Sequence, residues 1–161
     1  MLRIRPALPD DVGTILELIR GLAEYEREPQ AAEATTEDLL RDGFGPEPKF
    51  RCLLAECEGA TAGFALYFYN YSTWKGRPGI YLEDIFVWPQ YRGRGIGKAL
   101  FVELARIATL EGCGRYEWQV LDWNTPAIEF YQSLGAKQMK QWLPMRLEGA
   151  ALDALAAQER K

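Results

Sequence analysis

Apolar residues recur at helical spacing in several stretches of this chain, and each stretch predicts a helix. Pro9 and the two acids after it suit the first turn of a helix that ends around residues 25–28. Asn124 is a favourable N-cap, and Thr35 begins a capping-box pattern. The predicted helices cover residues 9–28, 35–40, 96–110, 124–135 and 149–158.

Alternating or continuously apolar stretches, one of them dense in aromatic residues, predict strands. Their order, with one helix crossing over after the strand at residues 80–88, predicts an α/β fold in which helices flank a mixed sheet. We predict a single domain over residues 1–161, because the chain contains no internal repeat or linker. The predicted strands cover residues 2–5, 50–56, 62–71, 80–88 and 115–121, with one or two final strands within residues 136–148.

A glycine-rich loop joins the strand at residues 80–88 to the helix at residues 96–110. Glycine allows a ligand to approach the backbone, and the first amides of a helix attract anions, so this loop predicts a phosphate or pyrophosphate site. The alternative is a tight strand-to-helix turn with solvated arginines. We call residues 92–98 the glycine loop; its glycines and cations are Arg92, Gly93, Arg94, Gly95, Gly97 and Lys98.

Two common phosphate-binding motifs do not fit the glycine loop. Lys98 is followed by Ala99, so the hydroxyl that binds magnesium in a P-loop is missing. The glycines are spaced Gly-x-Gly-x-Gly, whereas a dinucleotide fold requires Gly-x-Gly-x-x-Gly.

The run Arg92-Gly93-Arg94-Gly95-Ile96-Gly97 instead resembles the Gln/Arg-x-x-Gly-x-Gly/Ala loop that binds the acetyl-CoA pyrophosphate in GNAT N-acetyltransferases. Residues 71–77, 81–84 and 121–124 resemble the diamine acetyltransferases, and most of all their thialysine N-epsilon-acetyltransferase branch. This resemblance covers nearly the whole chain. It implies a GNAT (acyl-CoA N-acyltransferase) fold, acetyl-CoA as cosubstrate without a metal, a small cationic amine as acceptor, and a homodimer.

The resemblance also implies roles for individual residues. Glu83 and Tyr131 would be catalytic, as base and acid. Substrate contacts are expected from Tyr25, Glu26, Trp74, Glu83, Asp84 and Glu117. Cofactor contacts are expected from the backbone of a bulged strand and from the loop, at Ile85, Phe86, Val87, Arg92, Gly93, Arg94, Gly95, Ile96, Gly97, Lys98 and Asn124.

The chemistry of amine acetylation explains why such residues are needed. An aliphatic amine has a pKa of about 10.4, so it must lose a proton before it attacks a thioester. Glu83 lies on the strand that leads to the glycine loop and could hold and deprotonate the ammonium. In an ideal strand Asp84 points to the opposite face, unless the strand is bulged. Tyr131 could protonate the leaving thiolate; the alternatives are two acids at a strand edge and a core aromatic residue.

Composition narrows the chemistry further. The chain has no histidine, which excludes Ser-His-Asp and Cys-His catalysis and argues against a zinc site. Its three cysteines have no metal-ligand spacing, and Cys113 has no histidine to activate it, so we expect direct attack by the amine. A net charge of −4 argues against nucleic acid as a partner. No apolar run suggests a membrane span or a signal peptide, so we expect a cytoplasmic protein.

Some questions stay open at the level of sequence. Ser72 stands where polyamine-specific relatives carry an acid, which favours a smaller or lysine-like amine over spermidine. The segment between Gly135 and Trp142 is also shorter than in those relatives. A protein or peptide N-acetyltransferase of the same fold and a non-catalytic acetyl-CoA-binding module both remain alternatives to a small-molecule enzyme.

Overall fold

A computed structural model describes residues 1–158 of the chain. Within these residues five strands form one sheet: β1 (Leu2–Pro6), β2 (Arg51–Cys57), β3 (Ala60–Ser72), β4 (Arg77–Val87) and β5 (Arg115–Trp118). The α-helices are α1 (Val12–Tyr25), α2 (Thr36–Phe44), α3 (Ile96–Leu110), α4 (Thr125–Ser133) and α5 (Gly149–Ala156). The predicted end of the domain at residue 161 lies outside the described residues.

The strands lie in the order β1-β2-β3-β4-β5. The first three pairings are antiparallel, while β4 and β5 are parallel because α3 crosses over between them. This arrangement confirms the predicted α/β fold with a mixed sheet flanked by helices. The tight turn expected between β2 and β3 lies at Glu58 and Gly59, and both residues have positive φ.

The core of the sheet follows the alternation of side chains along each strand. Cys52 and Leu54 on β2 belong to an apolar cluster that also contains Ile15 and Leu18 of α1. Leu53 alternates with them and is buried as well, so both faces of the central strands are covered. Helix α3 contacts all five strands, and it buries Ile96, Leu100, Phe101, Leu104 and Ala108.

The chain divides into two compact units, the first of which is Met1–Leu121 and contains the sheet with α1, α2 and α3. The second begins at Asp122 and contains α4 and α5. Across residues 1–158 no helix combines the length and hydropathy needed to cross a membrane.

The strands predicted within residues 136–148 are wrong. These residues form irregular backbone with one turn at 140–141, and Pro144 lies in their middle. Proline cannot donate to a β-ladder, and no strand of the described residues pairs with this segment. The helical tail predicted after it is confirmed by α5.

Candidate active site

A β-bulge at Glu83 shapes the middle of β4. Across the β3–β4 ladder Leu66 pairs with Asp84 and Tyr67 pairs with Leu82, so Glu83 is the extra residue. A bulge interrupts the strict alternation of side chains, so Glu83 and Asp84 do not have to face opposite sides of the sheet. Glu83 is exposed at this point, whereas Asp84 is half-buried.

The sheet opens beyond the bulge. The parallel ladder between β4 and β5 runs only from Gly79 and Arg115 to Leu82 and Trp118, where β5 ends. The remaining β4 residues up to Val87 pair with β3 alone within the described residues. One edge of this stretch, which contains Ile85 and Phe86, can therefore offer backbone groups to a ligand. The Phe86 side chain is buried, so only its backbone is available.

Three carboxylates, Glu26, Glu83 and Asp84, form what we call the acid cluster. Burial and then the charges of Glu83 and Glu26 raise the pKa of Asp84 to about 7. Burial and then the charge of Glu83 also raise the pKa of Glu26. Within residues 1–158 no lysine or arginine forms an ion pair with these acids. An unneutralised cluster of this kind favours a cationic ligand.

Helix α1 delivers Glu26 to this cluster through a close contact with β4. A Cβ added to Gly21 would lie 2.7 Å from the Trp88 ring and 2.9 Å from the Phe86 ring, so glycine is required for the helix to approach. The helix ends at Tyr25, and Glu26 is its C-cap. Arg27 follows with a φ of 66°, which turns the chain away immediately after the acid.

The glycine loop provides the opposite electrostatic environment. Gly93 has a φ of 75°, and Gly95, the N-cap of α3, has a φ of 76°, a region that favours glycine. An added Cβ at either position would meet nothing within 4 Å, so the space above the loop is open. Gly95 has no side chain to cap the helix, which leaves the first amides of α3 available to an anion.

The two arginines of the loop contact protein groups. The Arg92 Nε donates to the Val87 carbonyl at 2.9 Å, and its guanidinium lies over the rings of Tyr25 and Phe86. Arg94 forms an ion pair with Glu58 at 3.1 Å. Lys98 is exposed beside a groove of about 520 Å³ that is lined in part by Leu2, Ile4 and Gly95.

Two residues that the sequence did not single out interact with acids predicted to contact the substrate. Burial and then the charges of Glu83 and Glu117 raise the pKa of Tyr81, so this tyrosine lies within electrostatic range of both acids. Asn70 donates its Nδ2 to Glu117 Oε1 at 3.4 Å. The signal for Tyr81 was its position two residues before Glu83 on the same strand. Glu117 and Glu83 thus both act on Tyr81, and the substrate role of Glu117 stays a prediction.

Trp74 is not brought to the acid cluster within the first unit. It lies at the turn between β3 and β4, with 82% of its surface exposed. Glu83 lies six residues along β4 from Arg77, where the strand begins, which corresponds to roughly 20 Å at the rise of an extended strand.

Asn124 and Tyr131 belong to the second unit. The Asn124 side chain accepts from the Ala127 amide at 3.4 Å, which confirms it as the N-cap of α4. Tyr131 lies in the last turns of α4, half-buried, with its ring centroid 5.6 Å from that of Phe130. Their roles toward a cofactor or a leaving thiolate stay predictions.

One family model and several known proteins match this chain. Residues 15–136 match the sequence model of the Acetyltransferase (GNAT) family. A thialysine N-epsilon-acetyltransferase from Mus musculus is 43% identical over 165 residues, which cover 96% of each chain. A spermidine/spermine N(1)-acetyltransferase-like protein 1 from Homo sapiens is 41% identical over 83% of this chain and 20% of its own length.

Solved structures give the same picture of the fold. An integron cassette protein from the mobile metagenome of V. cholerae superposes with a TM-score of 0.83 at 27% identity, and the match covers 98% of both chains. The family match spans both the acid-bearing strand and the glycine loop, so the geometry described above lies within it. This chain therefore belongs to the GNAT family of acetyltransferases.

Proposed function

We propose that this enzyme transfers the acetyl group of acetyl-CoA to a primary amine of a small cationic substrate, by direct attack in a ternary complex. The acceptor would be a thialysine- or lysine-like amine or a diamine. The observation that carries the proposal is that the β4 acids Glu83 and Asp84, which form no ion pair with a cation in residues 1–158, are followed within 15 residues by an open helix N-terminus without a side-chain cap. The first suits an ammonium group and the second suits a diphosphate.

The residues for the cofactor divide into backbone and side-chain contributions. The amides at residues 95–98 would hold the diphosphate, with the Lys98 and Arg94 side chains adding positive charge. Arg94 would give up its exposed ion pair with Glu58 for the diphosphate. An exposed ion pair of this kind contributes little to stability in water. The open edge of β4 at residues 85–87 would hydrogen-bond the arm that leads to the thioester. Bound acetyl-CoA would supply an activated acyl group.

The residues for the amine lie around the bulge. Glu83 would hold the ammonium and accept its proton, directly or through water, as the nitrogen attacks the carbonyl carbon. Glu26, Asp84 and Glu117 would add negative charge for a second ammonium group of the same substrate. Tyr25 would contribute an aromatic face.

Tyr131 would donate the proton that the departing thiolate needs, since a phenol is protonated at neutral pH. We expect Tyr131→Phe to lower kcat about a hundredfold while leaving the Kd for coenzyme A unchanged. Steady-state kinetics and titration calorimetry measure these two quantities. An unaltered kcat would remove Tyr131 from the mechanism.

A homodimer is part of the proposal. The second unit contains no buried residue within the described range, and large apolar side chains on its surface support association with a second copy. The exposed tip of the β3–β4 turn, with Trp74, supports the same view. Sedimentation equilibrium would test it. The exposed apolar residues of the second unit are Leu134, Met139, Trp142, Leu143, Met145, Leu147, Leu152 and Leu155.

Cytoplasmic location and the absence of nucleic-acid or membrane partners belong to the same proposal.

The decisive experiment is a thiol-release assay with acetyl-CoA across putrescine, spermidine, thialysine, lysine and a panel of lysine peptides. We expect release with the small amines and formation of the N-acetyl product by mass spectrometry. Release only with peptides would favour a peptide acetyltransferase. Tight coenzyme A binding without release for any amine would identify a non-catalytic module. Ping-pong initial-rate patterns would contradict direct attack.

A further inference from the structure

Arg92 joins three elements that the proposed function uses separately. Its Cζ lies 4.9 Å from the centroid of the Tyr25 ring, at the end of α1, and 5.5 Å from that of the Phe86 ring on β4. Its Nε donates to the carbonyl of Val87 at 2.9 Å, where β4 ends. Arg92 itself is the first residue of the glycine loop. One guanidinium therefore connects the end of a helix, the end of a strand and the start of the loop.

These contacts fix the segment that carries Glu26. The close approach of Gly21 to Phe86 on β4 and to Trp88, the residue after β4, already holds the preceding turn of α1. The contact between Arg92 and Tyr25 then holds the last turn, and Glu26 follows directly as its C-cap. Loss of this contact removes one of the interactions that hold the last turn, and helix ends are the part that frays most readily. The position of Glu26 relative to Glu83 thus depends on a residue of the glycine loop.

The chemistry of the contacts suits a positioning role. A planar guanidinium can stack on aromatic rings and donate to a carbonyl at the same time, which an ammonium cannot do. Arg92 forms no ion pair with the acid cluster within residues 1–158, so the negative charge of the cluster is left for a substrate.

We propose that Arg92 is a positioning residue that couples the glycine loop to the amine site. This inference rests on the proposed function. Ordering of the loop by a diphosphate would fix Arg92 and, through Tyr25, the position of Glu26, so coenzyme A would increase affinity for the amine. Because binding free energies are reciprocal, the amine would increase affinity for coenzyme A by the same factor.

The test compares Arg92→Gln and Arg92→Lys with the unaltered enzyme and with Arg106→Gln as a matched control. Arg106 lies on α3 in an exposed ion pair with Glu103, outside both proposed sites. We expect both Arg92 variants to raise the KM for the amine about tenfold and to leave the Kd for coenzyme A within about threefold. Calorimetric titration of coenzyme A with and without the amine should show that the coupling factor is lost.

Arg92→Lys separates positioning from simple phosphate binding. Lysine keeps the charge but loses the planar stack and the Nε donor, so it should fail to restore the KM for the amine. If Arg92→Gln weakens only coenzyme A binding and Arg92→Lys restores it, with the amine KM unchanged, the inference is overturned. A melting temperature within about 3 °C of that of the unaltered enzyme identifies a folded variant. Arg92→Lys, the more conservative change, should meet this criterion.

The outcomes also separate this inference from the proposed function. If the unaltered chain neither binds coenzyme A nor releases thiol with any amine, the proposed function fails, and the inference fails with it. If the unaltered chain is active and both Arg92 variants match it in amine KM and in coupling, the inference alone fails.

Discussion

The glycine loop suits an anion and the acid cluster suits a cation, and the two regions use different groups to do so. The loop is open and relies on backbone amides, and its glycines adopt positive φ without steric cost. The acid cluster relies on side chains: Glu26 and Asp84 are half-buried and Glu83 is exposed. Burial and then the charges of Glu83 and Glu26 raise the pKa of Asp84 to about 7. The loop is thus ready for an anion at little energetic cost, while the cluster stores unfavourable energy until a cation arrives.

This contrast indicates how the two regions should respond to mutation. Changes in the loop should act mainly through steric access and backbone conformation, so they should alter affinity for coenzyme A. Changes in the acid cluster should act through charge, so they should alter amine turnover, pH dependence and the free energy of unfolding together.

Glu83→Gln should give the largest effect, a fall in kcat of about a thousandfold, because glutamine cannot accept the proton of the amine. Steady-state kinetics with the best amine measures it, and calorimetry should find the Kd for coenzyme A unchanged. Glu47→Gln, an exposed acid that pairs with Lys49, is the control. A Glu83→Gln variant that retains more than about a tenth of the wild-type kcat would remove Glu83 as the base.

Gly95→Val should raise the Kd for coenzyme A about a hundredfold, since valine is strained at positive φ and would fill the space above the loop. Gly112→Val is the matched control, because Gly112 follows the other end of α3 with a φ of 70°. Both variants should lose similar stability in urea. Equal Kd values for coenzyme A in the two variants would show that strain, and not the anion site, causes the loss.

The same contrast explains what the sequence could predict. The glycine loop and α3 are local features, and the helix predicted over residues 96–110 has the observed bounds. The capping box at Thr35 and Asp38 is local too, and it is confirmed. Patterns of this kind determine the local structure by themselves, because their hydrogen bonds join residues close in sequence.

The acid cluster depends on contacts between distant residues. The bulge at Glu83 arises from its register with Leu66 and Tyr67 on β3, which no pattern within β4 encodes. The contact between Arg92 and Tyr25 likewise joins segments far apart, so the motif predicted a phosphate ligand and missed the aromatic partner. The strands predicted within residues 136–148 failed for the related reason that a strand requires a pairing partner.

Asp84→Asn should raise the free energy of unfolding above that of the unaltered protein. This gain should be about 2 kcal/mol larger at pH 8 than at pH 4. The folded-state pKa of Asp84 is raised from 3.8 to about 7, so its contribution to stability is present below pH 4 and is lost as the pH rises to 7. The full linkage corresponds to about 4 kcal/mol, and relaxation around the charge should reduce it.

Urea unfolding of Asp84→Asn and the unaltered protein at both pH values measures this difference. Saturating spermidine should narrow the difference at pH 8, because its ammonium groups neutralise the cluster in the unaltered protein. A difference that does not change between pH 4 and pH 8 would mean that Asp84 is not destabilised by burial.

Ser72→Asp should give the smallest effect, a change of less than about threefold in the KM for spermidine relative to thialysine, because the turn lies roughly 20 Å from Glu83 along β4 and the added charge is screened over that distance. Ser72 is buried at the β3–β4 turn, where its Oγ accepts from the Lys75 amide at 3.1 Å, and an aspartate can accept in the same way. Competition kinetics with both amines measures the ratio, and Ser72→Asn controls for size without charge. A change of more than about thirtyfold would place this turn next to the bound amine, which the length of β4 prevents within one chain.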